Sequence, residues 1–189
     1  EGEIRTDFMP QYEMMTMREV KKLRALVPEM EDLCSEEDSS FLGAMECLDN
    51  LLNEYSAWIE KSKEDIRKRF DSGLIPDRLR DSSRLMNERA ENNLARMRSG
   101  VDFLRNEPDA RMAFVLANRS IRMSQNEPQH PDISMRSDPF KWRPFQIAFQ
   151  LLNIESLFAL EPGDSGWEDR GVVDLAWFPT AGGKTEAYL

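Results

Sequence analysis

The chain has 189 residues, of which 40% are hydrophobic and 32% charged, and it carries a formal net charge of −10. This composition indicates a soluble globular chain with room for one domain and part of another, and it excludes a broad basic surface that binds nucleic acid by bulk counterion release. No apolar stretch approaches the length of a membrane span. Because the N-terminus lacks the pattern of a secretory signal and the chain has only two cysteines, Cys34 and Cys47, we predict a cytoplasmic protein without a membrane partner.

The first third of the chain predicts two helices. Residues 1–13 show no periodicity, whereas apolar residues recur at helical spacing over residues 14–30, where Pro28 is expected to bend or end the helix. After a polar break, a broad apolar stripe covers residues 41–70, and Gly73 marks its predicted end.

Two further helices complete a predicted helical domain. One begins after Pro76 and closes at Asn106, and the next begins near Pro108, a residue that suits the first position of a helix. Four helices with short connections favour a bundle. The fold prediction is therefore mainly α, with a helical bundle-like N-terminal domain over residues 1–126.

A change of composition marks the predicted domain boundary. Residues 127–139 contain three prolines and several polar residues, which favours a linker or loop. Helical spacing returns from Pro144, and a second loop over residues 161–170 precedes an apolar, β-branched run. This order predicts that residues 140–189 are the truncated start of a RecA-like α/β lobe, with its first helix, strand and phosphate loop.

The end of the chain carries the strongest functional signal. A strand-like run, a glycine pair followed by Lys-Thr and a helix start are the ordered parts of a phosphate-binding loop, although strict spacing would place glycine where this chain has Phe178. Lys184 is expected to contact the β- and γ-phosphates of ATP, and the Thr185 hydroxyl to ligate Mg²⁺ held by the nucleotide. The predicted loop residues are Thr180, Ala181, Gly182, Gly183, Lys184 and Thr185.

An amide upstream is a candidate for reading the nucleotide base. Gln146 lies at a predicted helix start, 38 positions before Lys184. Its amide could pair with the donor and acceptor edge of adenine through two hydrogen bonds. Taken alone, a glutamine at a helix start is more often a solvated or capping residue. The predicted phosphate loop in the same chain is what favours a nucleotide-binding role for Gln146.

These two segments carry a family resemblance. Residues 143–146 (Arg-Pro-Phe-Gln) and residues 178–185 (Phe-Pro-Thr-Ala-Gly-Gly-Lys-Thr) resemble the Gln-containing motif and the first ATPase motif of superfamily 2 DNA and RNA helicases. More narrowly, residues 142–152 and 173–189 are similar to the helicase-like ATPase of DISARM anti-phage defence systems. Residues 113–119 resemble a helical stretch of the same group less specifically, and Ala181 stands where the family string has glycine.

The resemblance implies two RecA-like lobes that close on ATP and move along a nucleic-acid strand. It implies an ATP-dependent DNA helicase or translocase acting in anti-phage defence, with ATP and Mg²⁺ as cofactors. The partners that it implies are DNA, as a single strand, and a partner protein of the system. No Asp-Glu motif and no second lobe follow the loop before Leu189. Because hydrolysis needs both, we expect these residues alone to be catalytically inactive.

Two other functions remain open at this stage. The helical portion could be a protein-interaction module that docks a defence partner, or the loop could be a nucleotide switch without translocation. Candidate nucleic-acid contacts are Arg119, Arg122 and Arg136, whereas the basic run at residues 67–69 is explained by a solvated helix end. His130 lacks neighbours at ligand spacing, so no metal role is assigned to it.

Overall fold

The computed structural model describes residues 21–126, 140–174 and position 185, with the side chains of residues 125 and 126 left aside. This part of the chain is mainly helical and contains no strand, which confirms the prediction of a mainly α protein. The helices are α1 (Lys21–Leu26), α2 (Met30–Leu33), α3 (Asp38–Asp71), α4 (Arg80–Asn106), α5 (Pro108–Asn126) and α6 (Pro144–Phe158), with 3₁₀ turns at Asp77–Leu79 and Glu168–Gly171.

The first predicted helix is divided in the structure. Helix α1 ends at Leu26, before Pro28, and α2 starts at Met30. Proline disfavours the helical conformation in the residue before it, which explains the break at this point. Residues 1–20 lie outside the described part, so the start of the predicted helix stays untested.

Helix α3 follows its predicted course and ends in a Schellman motif. Gly73 has a φ of 70°, the left-handed conformation that favours glycine. The Leu74 N–H donates to the Arg69 carbonyl at 2.9 Å, and the Gly73 N–H donates to the Phe70 carbonyl at 3.0 Å. The turn that reverses the chain between α3 and α4 is therefore fixed by local hydrogen bonds.

Helix α4 lies at the centre of the molecule, because it packs against α3 on one side and against α6 on the other. Gly100 makes the contact with α6 close: a Cβ there would lie 2.3 Å from the Leu151 carbonyl oxygen. Two aromatic rings, Phe103 of α4 and Phe158 of α6, meet at a centroid distance of 5.7 Å. Helix α6 is thus seated on α4 rather than standing apart from it.

A single hydrophobic core links the helices on both sides of residues 127–139. The α6 side contributes Trp142, Ile147, Leu151 and Ile154, and α3, α4 and α5 contribute most of the remaining buried residues. The predicted domain boundary falls on residues outside the described part and stays a prediction. The described residues before and after it nevertheless share one core.

Residues 172–174, the start of the predicted strand, are described and are not in a strand, whereas residues 175–184 lie outside the described part. The RecA-like lobe therefore stays a prediction. Within the described ranges, no helix is both long enough and apolar enough to cross a membrane.

Candidate functional site

Most of the predicted phosphate loop lies outside the described residues. This holds for Thr180, Ala181, Gly182, Gly183 and Lys184, whereas Thr185 is described as helical and exposed. The nucleotide and magnesium roles of these residues therefore stay predictions. The last described segment before them ends at Asp174.

Arg96 of α4 holds this segment in place. Its Nη1 and Nη2 donate to the two carboxylate oxygens of Asp174 at 2.9 and 2.8 Å, and its Nε donates to Asp169 at 2.9 Å. Nη2 also donates to the backbone carbonyl of Leu152 in α6 at 2.9 Å. We call Arg96, Asp169, Asp174 and the Leu152 carbonyl the arginine anchor.

The arginine anchor is largely shielded from water. The side chains of Arg96 and Asp174 are each 14% exposed, and that of Asp169 is 31% exposed. The hydrogen bond to Asp174 raises the pKa of Arg96 against the opposing effect of its burial. Bidentate pairing of a guanidinium with a carboxylate fixes orientation as well as distance. The chain entering the predicted strand is therefore tied to the middle of α4.

Sequence reasoning missed the arginine anchor. Asp174 is the one charged residue within the apolar run 172–178. A carboxylate in an apolar run indicates that a cation pairs with it in the folded protein. Arg96, by contrast, resembles the other arginines of α4 in sequence. Only the folded arrangement separates it from Arg98, which is exposed and reaches Asn53 at 3.3 Å.

Gln146 is buried at the start of α6, where it is 3% exposed. Its Oε1 accepts a hydrogen bond from the Arg143 backbone N–H at 2.8 Å, so the side chain caps the helix. Capping gives the amide a structural role in this conformation. The adenine contact stays a prediction, and it would require the carbonyl oxygen of Gln146 to exchange or share this partner.

The segment before α6 is fixed by a buried polar pair. Trp142 and Asn118 are each 2% exposed, and the indole Nε1 donates to Asn118 Oδ1 at 2.7 Å. The amide nitrogen of Asn118 in turn donates to the Phe114 carbonyl at 2.8 Å. This pair ties α5 to the residue just ahead of α6 and gives a structural reason for a polar side chain inside the apolar face of residues 113–119.

Two of the predicted nucleic-acid contacts face carboxylates of the same chain. Arg119 Nη1 lies 2.6 Å from Glu36, while its Nε donates to the Cys34 carbonyl at 3.0 Å. Arg122 lies 2.9 Å from Glu31. These pairs join α5 to the α2–α3 region. A phosphate contact at either arginine stays a prediction and would compete with a carboxylate.

The third predicted contact, Arg136, lies outside the described residues. Across the ranges 21–126 and 140–174, the chain brings together no group of three metal-ligating side chains. The described part therefore offers an arginine anchor and a helical scaffold, together with Gln146, whereas residues 180–184 of the predicted phosphate loop lie outside it.

Comparison with known proteins identifies one informative relative. No protein-family model matches the chain. The chain is 37% identical over 154 residues to "DISARM protein DrmA" of Bacillus paralicheniformis (strain ATCC 9945a / NCIMB 11709 / CD-2), an alignment that covers 75% of this chain. The aligned part is 12% of the length of that relative. The chain is thus related in sequence to a DISARM protein and corresponds to a small part of it.

Proposed function

We propose that this chain is the N-terminal part of an ATP-dependent helicase or translocase that acts on DNA in anti-phage defence. The similarity to a DISARM protein over 75% of the chain is the observation that carries the proposal. The Gly-Gly-Lys-Thr sequence at residues 182–185 adds the nucleotide chemistry. The activity belongs to the intact protein, since the aligned part is 12% of the length of the relative.

The donor set of the loop suits a magnesium-bound triphosphate. Backbone N–H groups around Gly182 and Gly183 would hold phosphate oxygens without competition from side chains. The Lys184 ammonium adds a positive charge, and the Thr185 hydroxyl is an oxygen ligand of the type that Mg²⁺ prefers. Gln146 is the proposed contact to adenine. The bound nucleotide would supply the free energy for movement along DNA.

The arginine anchor gives the helical part a role in this function. Asp174 lies four residues before Phe178, where the resemblance to the first ATPase motif begins. Arg96 holds Asp174 against α4, so a shift of α4 would move the start of the predicted strand. We therefore assign the helices the role of a platform that positions the phosphate loop. Arg96 acts through Asp174 and is a positioning residue.

The test is ATP hydrolysis by the intact protein with and without single-stranded DNA, beside a Lys184→Ala variant. We expect the variant to lose most of the DNA-stimulated rate, because the charge that stabilises the phosphates is gone. Lys22→Ala is the matched control, since Lys22 is an exposed lysine paired only with Glu54 among the described residues. Unchanged DNA-stimulated hydrolysis in Lys184→Ala would show that the loop is wrongly assigned.

The same assay separates a motor from a nucleotide switch. A motor is expected to hydrolyse ATP faster when a DNA strand is present and to displace a labelled strand or streptavidin block. A switch would bind ATP with an intact Lys184 and show neither DNA stimulation nor displacement. The second result would replace the proposed translocation by nucleotide-controlled signalling.

A stripe on α5 favours a second function, the docking of a partner protein. Met112, Leu116 and Met123 are 48%, 50% and 68% exposed, and their spacing places them near one another along the helix surface. Exposed apolar side chains grouped in this way are typical of contact surfaces.

If docking is the function, Met112→Glu with Leu116→Glu should abolish co-purification of a DISARM partner protein while leaving ATP hydrolysis intact. Retained co-purification would exclude this surface.

A further inference from the structure

The C-terminal end of α3 and the N-terminal end of α4 project beyond the core as a two-helix arm. Ile59 and Leu94 are the last buried residues of the main core on the two helices, and between them only Phe70 is buried. We call residues 60–93 the distal hairpin. At a rise of 1.5 Å per residue, the distance from Ile59 to Phe70 is about 16 Å along α3. Neither helix end is needed to complete the core.

The distal hairpin is nearly neutral, whereas the rest of the chain is strongly acidic. Residues 60–93 contain nine lysines and arginines and eight aspartates and glutamates, within a chain whose net charge is −10. The hairpin therefore lacks the negative excess of the body. A polyanion would meet less electrostatic repulsion at the hairpin than at the acidic body.

Several cations of the distal hairpin have no carboxylate within 4 Å among the described residues. Lys63, Lys68, Arg80 and Arg84 are in ion pairs. The cations without such a partner are Lys61, Arg67, Arg69, Arg78 and Arg89. All five are exposed. Phosphates of a bound strand would therefore pair with these five cations without displacing a carboxylate of the described residues.

An open groove runs along the same arm. It has a volume of about 430 Å³, and its lining includes Trp58, Lys61, Arg69 and, from the turn after α3, Ile75. Trp58 is 58% exposed and stacks on Tyr55 with a ring-centroid distance of 5.8 Å, so the indole is supported in an accessible position. Lys61 and Arg69 are about 12 Å apart along the axis, which matches three to four stacked nucleotides at about 3.4 Å each.

We infer that the distal hairpin binds a single strand of DNA, with phosphates against Lys61 and Arg69 and a base stacked on Trp58. An exposed aromatic ring beside a row of cations is the combination that holds single strands without reading their sequence. A duplex would keep its bases stacked inside and could not use Trp58. The choice of DNA rests on the proposed function; the groove chemistry itself comes from the hairpin.

One residue of the groove opposes this ligand. Asp65 lies between Lys61 and Arg69 on the groove face and has no cation within 4 Å among the described residues. Its carboxylate would repel phosphate, so Asp65→Asn is expected to bind a strand more tightly than the parent chain. This gain of binding is an outcome that general loss of structure cannot imitate.

The test is fluorescence anisotropy of a labelled 20-nucleotide oligo-dT with the full chain, without nucleotide, at 50 to 200 mM NaCl. The Lys61→Gln, Arg69→Gln double variant is expected to weaken binding about tenfold at low salt and to reduce the slope of log K against log salt by about 1.4. Trp58→Ala is expected to weaken binding about fivefold or more, with Trp58→Phe restoring most of it.

The matched control removes two positive charges from the body of the protein. Lys22→Gln with Arg98→Gln changes the net charge equally and leaves the distal hairpin intact, so the affinity is expected to change by less than about threefold. Circular dichroism of each variant checks its helix content. Equal weakening by the two double variants, or no binding of the parent chain at 50 mM salt, would overturn the inference. So would competition by a 20-residue polyglutamate as strong as that by unlabelled oligo-dT, which would indicate an acidic protein partner.

The two proposals can fail separately. In the intact protein, Lys184→Ala should lose ATP hydrolysis and keep strand binding without nucleotide, because the substitution leaves the residues of the hairpin unchanged. If the hairpin variant binds DNA like the parent while Lys184→Ala loses hydrolysis, the proposed function stands and the hairpin site is wrong. If Lys184→Ala retains hydrolysis while the hairpin variant loses strand binding, the loop assignment is wrong and the hairpin site stands.

Discussion

Gly100 shows how much of this fold depends on one missing side chain. A Cβ at this position would lie 2.3 Å from the carbonyl oxygen and 3.1 Å from the carbonyl carbon of Leu151, and 3.2 Å from Ile154 Cγ2. The first two atoms belong to the backbone of α6, which cannot turn aside as a flexible side chain can. Any residue other than glycine at this point would push α6 away from α4.

We therefore expect Gly100→Ala to lower the free energy of unfolding by about 1–3 kcal/mol, as overpacking of a close contact does. Gly43→Ala is the matched control, because Gly43 lies inside α3 with nothing within 4 Å of the added Cβ. Alanine there should raise the free energy of unfolding by about 0.5–1 kcal/mol through helix propensity. Urea unfolding followed by circular dichroism measures both, and a Gly100→Ala protein as stable as the parent would contradict the close contact.

At the scale of the elements, the arginine anchor joins three parts of the chain that are distant in sequence. Arg96 belongs to α4, the Leu152 carbonyl to α6, and Asp169 and Asp174 to the 3₁₀ turn and the segment after it. Arg170 adds a second tie, since its guanidinium donates to the Ser156 carbonyl at 3.3 Å and lies over the Trp167 ring. The segment after α6 thus has little secondary structure but defined attachments.

We predict that Arg96→Met destabilises this segment more than the helices. Methionine keeps the aliphatic length and leaves the two aspartates without their cation, at a cost on the order of 2 kcal/mol for partly buried carboxylates. Hydrogen exchange should increase at the amides of residues 160–174 and change little in α3. Arg98→Met on the same helix is the control, and equal exchange in the two variants would show that the arginine anchor does not hold the segment.

At the scale of the whole molecule, the core does not end where the sequence changes composition. Trp142, Ile147 and Leu151 are at most 2% exposed and belong to the same cluster as Val101 and Leu104 of α4. The helical residues before position 127 therefore have an apolar face that α6 covers. In energetic terms, α6 behaves as a member of the helical scaffold.

A chain that ends at residue 126 is therefore expected to fold poorly. It would lose Trp142, Ile147, Leu151 and Ile154 from the core, and each buried side chain of this size contributes about 1.5–3 kcal/mol. The sum is comparable with the whole stability of a domain, about 5–15 kcal/mol. We expect weak near-ultraviolet circular dichroism, binding of a hydrophobic dye and broad thermal unfolding.

A chain that ends at residue 174 is the control for this truncation. It keeps α6, the arginine anchor and every described core residue, so we expect a single sharp unfolding transition. A chain of residues 1–126 that unfolds as sharply as this control would show that the helices before the linker form a complete domain without α6.

The sequence by itself determined the four longer helices, α3 to α6, and their order. Apolar spacing marked α3 to α6, Pro28 and Gly73 marked breaks, and Pro108 and Pro144 marked starts, because helix periodicity and the backbone limits of proline and glycine are local properties. Sequence also supplied the phosphate-loop hypothesis, through a compact motif at residues 182–185. It could not show which arginine is buried.

Only the tertiary structure decided how the parts meet. Arg96 is distinguished from its neighbours by the carboxylates of Asp169 and Asp174, which lie more than 70 positions away in the chain. The backbone of α6 leaves no room for a side chain at position 100, and the Trp142 indole donates a hydrogen bond to Asn118, on the other side of residues 127–139. These contacts join residues that are distant in sequence, and their energies depend on burial and on distances of a few ångströms, which periodicity and composition do not contain.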